Sequence, residues 1–206
     1  FPWLLMRALW KSRDSTGVIA YCASFIVTTT LALAVFGLDE HFAWFSTVRS
    51  LDWAWLPMNA SIQGWATRAF SVNPMFPHAL SLPALVKPLW LLCSLVIGLF
   101  TYYRIREATA DVAFADLLVL ALLIAPLGWL YYLFALIGPV ASIWCKHSPS
   151  KLTTFIVIVS LFTPFALIAP LSINTAMTVI VGGLSMTGLL FLWAWLIRTA
   201  SLPKLN

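Results

Sequence analysis

The chain has very few charged residues for its length. Only 9% of its 206 residues are Asp, Glu, Lys or Arg, whereas soluble domains carry roughly 25%. A soluble fold of this size could not cover its surface with so few charges. Cysteine is also scarce, and the three cysteines lie far apart in apolar runs. This pattern indicates small buried hydrophobes and argues against disulfides.

Motifs of soluble enzymes are missing as well. The sequence contains no GxSxG, no phosphate-binding P-loop, no HExxH and no CxxC. His41, His78 and His147 have no partner at metal-ligand spacing, so we expect no metal site and no cofactor. The net charge of +5 does not indicate nucleic-acid binding, because basic residues in a membrane protein first report its orientation.

Long apolar runs dominate the sequence, in which 62% of the residues are hydrophobic. A helix needs roughly 20 apolar residues to cross about 30 Å of hydrocarbon. Several runs reach or approach that length, which predicts an all-α membrane protein that crosses the bilayer several times. The clearest runs are residues 18–38, 80–103, 152–170 and 176–197.

A further apolar stretch, residues 112–145, is too long for one ordinary span. Pro126, Gly128 and Pro139 interrupt it, so it is one kinked helix or two short spans that turn near residues 126–129. With the first residues in the cytoplasm, one span leaves 5 Lys and Arg inside and 7 outside, whereas a hairpin leaves 9 inside and 3 outside. The positive-inside rule therefore favours the hairpin, which gives about six spans with both ends cytoplasmic.

Residues 39–79 then form an outer segment that is rich in tryptophan. Five apolar residues recur there with helical spacing, which predicts one or two short amphipathic helices in the outer interface. Asn59 is expected to cap this helix, Arg68 lies off its apolar stripe, and residues 73–77 are expected to end it. The stripe consists of Ile62, Trp65, Ala66, Ala69 and Phe70.

The chain begins within a hydrophobic pattern, without the ordered parts of a secretory signal. We therefore expect it to be the C-terminal part of a longer membrane protein. Residues 1–145 hold the outer segment and the hairpin, and residues 146–206 hold two further transmembrane helices. Gly182, Gly183 and Gly188 in the last run are interpreted as helix-packing positions.

Two short motifs contain the candidate chemistry. The first is Asn-x-Ser-x-x-Gly at residues 59–64, followed by an arginine, and the second is Pro-x-Gly-Trp-x-Tyr-Tyr at residues 126–132. From the pattern alone, helix capping, headgroup contact and an interfacial aromatic belt are the favoured interpretation of both motifs. The candidate site residues are Asn59, Ser61, Arg68, Trp129, Tyr131 and Tyr132.

The order of these motifs resembles the C-terminal half of polyprenol-phosphate-sugar-dependent membrane glycosyltransferases of the GT-C class. Over about residues 5–145 the chain is similar to glycosyltransferase family 87, the bacterial α-mannosyltransferases. It departs from the pattern of that family at four positions. Ala60 stands where glutamine is usual, Ala125 and Gly128 replace two serines, and Tyr131 stands where many members have histidine.

The resemblance implies an enzyme that moves a hexose, with mannose expected, from a polyprenyl-phosphate donor. The acceptor would be an envelope glycolipid or glycan at the outer face of the bacterial inner membrane, and no nucleic acid would be bound. Arg68 would hold the leaving phosphate, with Lys87 behind it. Trp129, Tyr131 and Tyr132 would stack on the sugar or enclose the lipid chain.

The resemblance does not supply a catalytic base in this chain. In GT-C enzymes the catalytic carboxylate lies near the N-terminus, in a region that this sequence lacks, and Asp39, Glu40 and Asp52 do not match its position. A non-catalytic envelope scaffold therefore stays open as an alternative. A transporter or flippase is another, although its spans would carry more charge. Here Lys87 and Asp116 lie near span ends, where both are expected to reach the interface.

Overall fold

The computed structural model describes residues 15–50, 53–106, 108–163 and 169–200. Within these ranges the chain is helical, without β-strands apart from two isolated bridges, so the predicted all-α class is confirmed. The chain divides into two compact units, and the boundary in the sequence lies between Trp53 and Ala54.

The described part of the first unit consists mainly of one long helix, α1 (Ser15–Ser50), which is bent at Gly37. Gly37 has φ 78° and ψ 163°, a conformation that glycine adopts without the steric penalty of a side chain. The imidazole Nδ1 of His41 lies 2.7 Å from the Gly37 carbonyl oxygen at this bend. Apolar side chains such as Phe25 and Phe36 are exposed along the helix, as expected of a helix solvated by lipid.

Seven helices make up the described part of the second unit. They are α2 (Ile62–Phe70), α3 (Val86–Arg104), α4 (Ala110–Ile124), α5 (Phe134–Lys146), α6 (Lys151–Phe162), α7 (Thr175–Gly182) and α8 (Leu184–Thr199). Short 3-10 turns at Pro83–Leu85, Leu130–Leu133 and Ala169–Leu171 join some of them.

Helix α4 lies at the centre of the second unit, where it packs against α3, α5 and α8. Ala115, Val119 and Leu123 of α4 and Leu189 and Leu196 of α8 are fully buried in this core. Two indole N–H groups add directional links between helices. Trp90 donates to the Ile124 carbonyl at 2.9 Å, and Trp193 donates to the Thr101 hydroxyl at 2.8 Å.

The predicted break in residues 112–145 is confirmed, since α4 and α5 are separate helices that pack against each other around residues 125–133. An ion pair of 3.9 Å between Asp111 and Lys146 joins their far ends, so the pair is antiparallel. Each helix has 15 residues or fewer, which corresponds to a rise of no more than about 22 Å.

Fewer helices reach spanning length than the predicted six. Among the described residues, Val18–Thr47 and Pro83–Arg104 are long and apolar enough to cross a membrane alone. The pair α7 and α8 adds a third candidate if it is counted as one span, but it is bent by 47° where the sequence predicted one continuous run. Part of the predicted run 152–170 lies outside the described residues, because the structure leaves out residues 164–168.

The second unit has a basic end and a motif end. The basic end holds the last turns of α3, α5 and α8 and the first residues of α6, and both sequence motifs lie toward the opposite, motif end. The basic residues that define the basic end are Arg104, Arg106, Lys146, Lys151 and Arg198.

Candidate functional site

The fold brings the two motifs together in one joint, in which Asn59 bonds Gly128 although these residues lie 69 positions apart in the chain. Asn59 and Trp129 form an isolated antiparallel bridge. The Ala60 N–H donates to the Gly128 carbonyl at 2.8 Å, and the Leu130 N–H donates to the Met58 carbonyl at 2.8 Å. The loop before α2 and the turn between α4 and α5 are therefore held as one local structure.

The Asn59 side chain is the centre of this joint and is completely buried. Its Nδ2 donates to the carbonyls of Ala54 and Pro126 at 3.1 and 3.0 Å. Its Oδ1 accepts from the N–H groups of Ser61 and Gly128 at 3.2 and 2.9 Å. Both amide N–H groups and the carbonyl oxygen are thus used, as burial of an amide requires.

The prediction that Asn59 caps the amphipathic helix was wrong, because its side chain is engaged across the joint. Ser61 is the N-cap of α2, and its hydroxyl accepts from the Gly64 N–H at 3.0 Å. A Cβ atom at Gly64 would lie 2.6 Å from the Asn59 carbonyl oxygen. Glycine at this position lets the first turn of the helix approach the joint closely. The predicted helix itself and its end before residues 73–77 are confirmed.

The departures from the family pattern fit the packing of the joint. A Cβ atom at Gly128 would lie 2.1 Å from the Leu122 carbonyl oxygen and 3.1 Å from Ser61 Cβ. A serine, the residue expected there from the resemblance, cannot occupy this turn without a backbone shift. Ala60 is 1% exposed and belongs to the apolar core, so a glutamine side chain at that position would have to be buried.

Arg68 lies inside the second unit. A position at the surface was expected, because this residue lies off the apolar stripe of α2. Arg68 is 1% exposed. Its Nε, Nη1 and Nη2 donate to the carbonyls of Gly182, Leu56 and Asn59 at 2.8, 2.8 and 2.9 Å. Burial lowers the pKa of Arg68 to about 9, so the side chain remains protonated at neutral pH. The contact with the donor phosphate that the sequence predicts for Arg68 stays a prediction, and the burial of this side chain makes exposed Lys87 the better candidate.

Trp129, Tyr131 and Tyr132 form an exposed group at the joint, which we call the aromatic surface. The Trp129 and Tyr131 rings are stacked, with centroids 5.9 Å apart and planes 12° apart. The Tyr131 and Tyr132 rings are 4.5 Å apart at 64°. Nearly half of each tyrosine is exposed, whereas Trp129 is partly buried against the joint. This surface is therefore accessible to a ligand and anchored at one edge.

Lys87 provides an accessible positive charge at the motif end. It is exposed in the first turn of α3, one turn before Trp90, whose indole bonds the last residue of α4. In the described parts of the chain no carboxylate lies within ion-pair distance of Lys87. Unlike Arg68, Lys87 is free to meet an anion from solvent or from the bilayer surface.

Asp116 does not reach the interface, contrary to expectation, because it is completely buried in α4. Neither carboxylate oxygen has a hydrogen-bond partner among the described residues. The sequence did contain a signal for this position. Asp116 comes four residues after Val112 and three before Val119, which places it on the stripe of α4 that forms the core.

Among the described residues, no carboxylate belongs to the joint or to the aromatic surface, where a general base would be needed. Asp39 and Glu40 are exposed on the second part of α1, in the first unit, and Asp52 lies outside the described residues. The joint and the aromatic surface offer places for binding and positioning.

Comparison with known proteins connects these features to a family. The profile of glycosyltransferase family 87 matches residues 1–131. Curated proteins and solved structures gave no significant match. The matched region includes the whole first motif and the second motif as far as Tyr131, and it covers well over half of the 206 residues. The chain belongs to glycosyltransferase family 87.

Proposed function

We propose that this chain forms the substrate-positioning part of a membrane enzyme that transfers a hexose from a polyprenyl-phosphate donor. Mannose is the proposed sugar, and an envelope glycolipid or glycan is the proposed acceptor. Membership of the family and the apolar helices support glycosyl transfer at a membrane. The donor, the sugar and the acceptor are the proposal.

One observation carries the proposal: the exposed aromatic surface is built onto the joint that unites both motifs. Aromatic rings present flat apolar faces with polar edges, which suits both the C–H face of a sugar and the first units of a lipid chain. Trp129 shares the bridge with Asn59, so the buried joint fixes the edge of the surface where a ligand would bind.

The reaction requires that the negative charge developing on the leaving phosphate be stabilised. The acceptor hydroxyl oxygen forms the new bond to the anomeric carbon while the bond from that carbon to the lipid phosphate breaks. The electron pair leaves with the phosphate, and the hydroxyl proton passes to a general base, which is a carboxylate in the enzymes that this chain resembles. We propose that exposed Lys87 stabilises the phosphate by charge and hydrogen bonding.

The proposed orientation places the motif end outside the cytoplasm. Five basic residues gather at the opposite end of the second unit, and such residues favour the cytoplasmic side. The target membrane would be the bacterial inner membrane, crossed six times with both ends of the chain inside. Helices α4 and α5 are short for this purpose, so the hairpin needs local thinning of the bilayer or protein neighbours.

The break between α7 and α8 is the observation that favours a transporter, because transporters bind substrates at interrupted helices near the bilayer midplane. In that architecture the free carbonyls line a cavity. Here donors from α2 bond two of the carbonyls at the break, those of Val179 and Gly182. This arrangement favours a structural break over a transport site.

Photolabelling tests whether the aromatic surface binds the donor. The probe is a polyprenyl-phosphate mannose with a diazirine on the first isoprene unit, added to the full-length protein in lipid nanodiscs. We expect labels within residues 125–134 and 83–90, and we expect an excess of unlabelled donor to remove them. A phospholipid with a diazirine near its phosphate serves as the control for non-specific contact.

The two probes separate the possible outcomes. Labels at residues 125–134 that only the unlabelled donor removes support the proposal. The same labels with both probes would contradict a donor site, and competed labels within residues 179–188 would support the transporter alternative.

A further inference from the structure

The helix pair α7 and α8 is interrupted at a well-defined position. Helix α7 ends at Gly182, α8 begins at Leu184, and the two helices are bent by 47°. An interrupted helix leaves carbonyl oxygens at its C-terminus without partners inside the helix. In an apolar environment such carbonyls need donors from elsewhere.

Helix α2 supplies these donors from two residues one turn apart. Trp65 Nε1 donates to the Val179 carbonyl at 3.3 Å, and Arg68 Nε donates to the Gly182 carbonyl at 2.8 Å. The C-terminus of a helix carries partial negative charge, so a buried cation there is electrostatically favourable. Arg68 therefore stabilises the end of α7 through both a hydrogen bond and its charge.

The two glycines at the interruption leave space for this contact because they have no side chains. A Cβ atom at Gly182 would lie 3.3 Å from Arg68 Cβ, and one at Gly183 would lie 2.9 Å from Trp65 Cδ1. The absence of side chains at these positions lets α2 reach the backbone of α7. The packing role predicted for these glycines is thus directed at α2.

The same guanidinium group also holds the loop that contains the first motif. Nη1 bonds the Leu56 carbonyl and Nη2 bonds the Asn59 carbonyl, while Nε bonds Gly182. A planar guanidinium with its fork of N–H groups can serve three carbonyls in different directions, whereas a lysine ammonium is a compact point charge on a flexible stem. One side chain thus connects the joint to the interrupted helix pair.

We propose that Arg68 is a positioning residue that locks the joint to the interruption at residues 182–183. Helices α7 and α8 lie beyond the region that matches the family, but they contribute to the site because they fix the position of Arg68, which holds the joint. This inference rests on the proposed transfer function for its catalytic consequence, although the locking itself does not.

The test measures locking and catalysis separately in the full-length protein in nanodiscs. The variants are Arg68→Gln, Arg68→Lys and the milder Trp65→Phe, which keeps the ring and removes one donor. Gly98→Ala is the control, because a Cβ atom there meets nothing within 4 Å. Hydrogen exchange of the amides at residues 180–188 reports the locking, and kcat and KM for polyprenyl-phosphate mannose report the catalytic consequence.

We expect Arg68→Gln and Arg68→Lys to speed exchange at residues 180–188 by about tenfold or more, with a smaller local increase in Trp65→Phe. We expect kcat to fall by roughly tenfold while the donor KM stays near that of the wild type, because the joint is misplaced and no donor contact is lost. Gly98→Ala should match the wild type in both measurements.

Unchanged exchange in all three variants would overturn the proposal. A raised donor KM with unchanged exchange, rescued by lysine, would also overturn it and would make Arg68 a phosphate ligand. If the wild type transfers no sugar, the proposed function fails, but the exchange measurement still decides whether Arg68 locks the interruption.

Discussion

Asn59→Asp is expected to destabilise the second unit strongly, although the two side chains have nearly the same shape. The aspartate keeps the acceptor for Ser61 and Gly128 but replaces the donor to Ala54 and Pro126 with a second oxygen. Two carbonyls then face a carboxylate in a site without solvent access. Such uncompensated burial costs about 3–5 kcal/mol, which corresponds to roughly 10 °C in the unfolding midpoint.

The control for this substitution is Asn174→Asp. Asn174 is exposed and caps α7 with its Oδ1, which accepts from the Met177 N–H at 3.0 Å. Aspartate is as good a cap as asparagine, so we expect no loss of stability. Tryptophan fluorescence during heating in nanodiscs measures both variants. Equal midpoints for Asn59→Asp and Asn174→Asp would contradict the role of Asn59 as the centre of the joint.

Gly128→Ala is expected to disrupt the turn between α4 and α5. The added methyl group would lie 2.1 Å from the Leu122 carbonyl oxygen, a backbone atom in the last turn of α4 that can move away only if the turn itself shifts. A shift of the turn that relieves this clash would also separate the Gly128 N–H from Asn59. We expect a loss of about 3 kcal/mol or more in the free energy of unfolding, at the upper end for overpacking.

Gly98→Ala should raise the free energy of unfolding, whereas Gly128→Ala should lower it. Gly98 lies inside α3, and a Cβ atom there meets no other group within 4 Å. Alanine is favoured over glycine in a helix interior by about 1 kcal/mol. Midpoints from the same thermal assay test both variants, and a Gly128→Ala protein as stable as Gly98→Ala would show that the turn has another geometry.

Patterns of apolar periodicity and of helix breakers predicted much of the fold from the sequence. Proline and glycine at residues 126–128 marked the turn of the hairpin, and the spacing of Ile62, Ala66 and Ala69 marked the buried face of α2. These signals are local, since each depends on a few neighbouring residues. The two motifs that the fold brings together were recognised differently, from their residues and from the resemblance of their order to glycosyltransferase family 87.

The roles of individual polar residues could not be predicted in the same way. Asn59 follows a proline at the start of a helix, which favours a cap, and only the approach of residues 126–128 adds the bonds of its side chain to Pro126 and Gly128. Arg68 lies off an apolar stripe, and only the carbonyls of Leu56, Asn59 and Gly182 explain its burial. Contacts between distant segments decide these roles.

The interruption at residues 182–183 could not be predicted from the sequence for a related reason. Residues 176–197 are apolar throughout, and glycines in such a run are equally compatible with a straight helix that packs closely against a neighbour. Carbonyls at the bend are bonded by Trp65 and Arg68, which lie more than 110 positions earlier in the chain. Gly188, by contrast, packs against Ser160 and Leu161 of α6, as a helix-packing glycine does.

Transfer of labelled mannose from polyprenyl-phosphate mannose tests the central claim most directly. The full-length protein in membranes is compared with Trp129→Ala and with Tyr103→Ala, an exposed tyrosine paired with Tyr102 at the basic end of α3. We predict transfer by the wild type, a loss of roughly tenfold or more in Trp129→Ala, and wild-type rates in Tyr103→Ala at equal protein levels. Wild-type rates in Trp129→Ala, or no transfer by the wild type from any polyprenyl-phosphate sugar, would contradict the account.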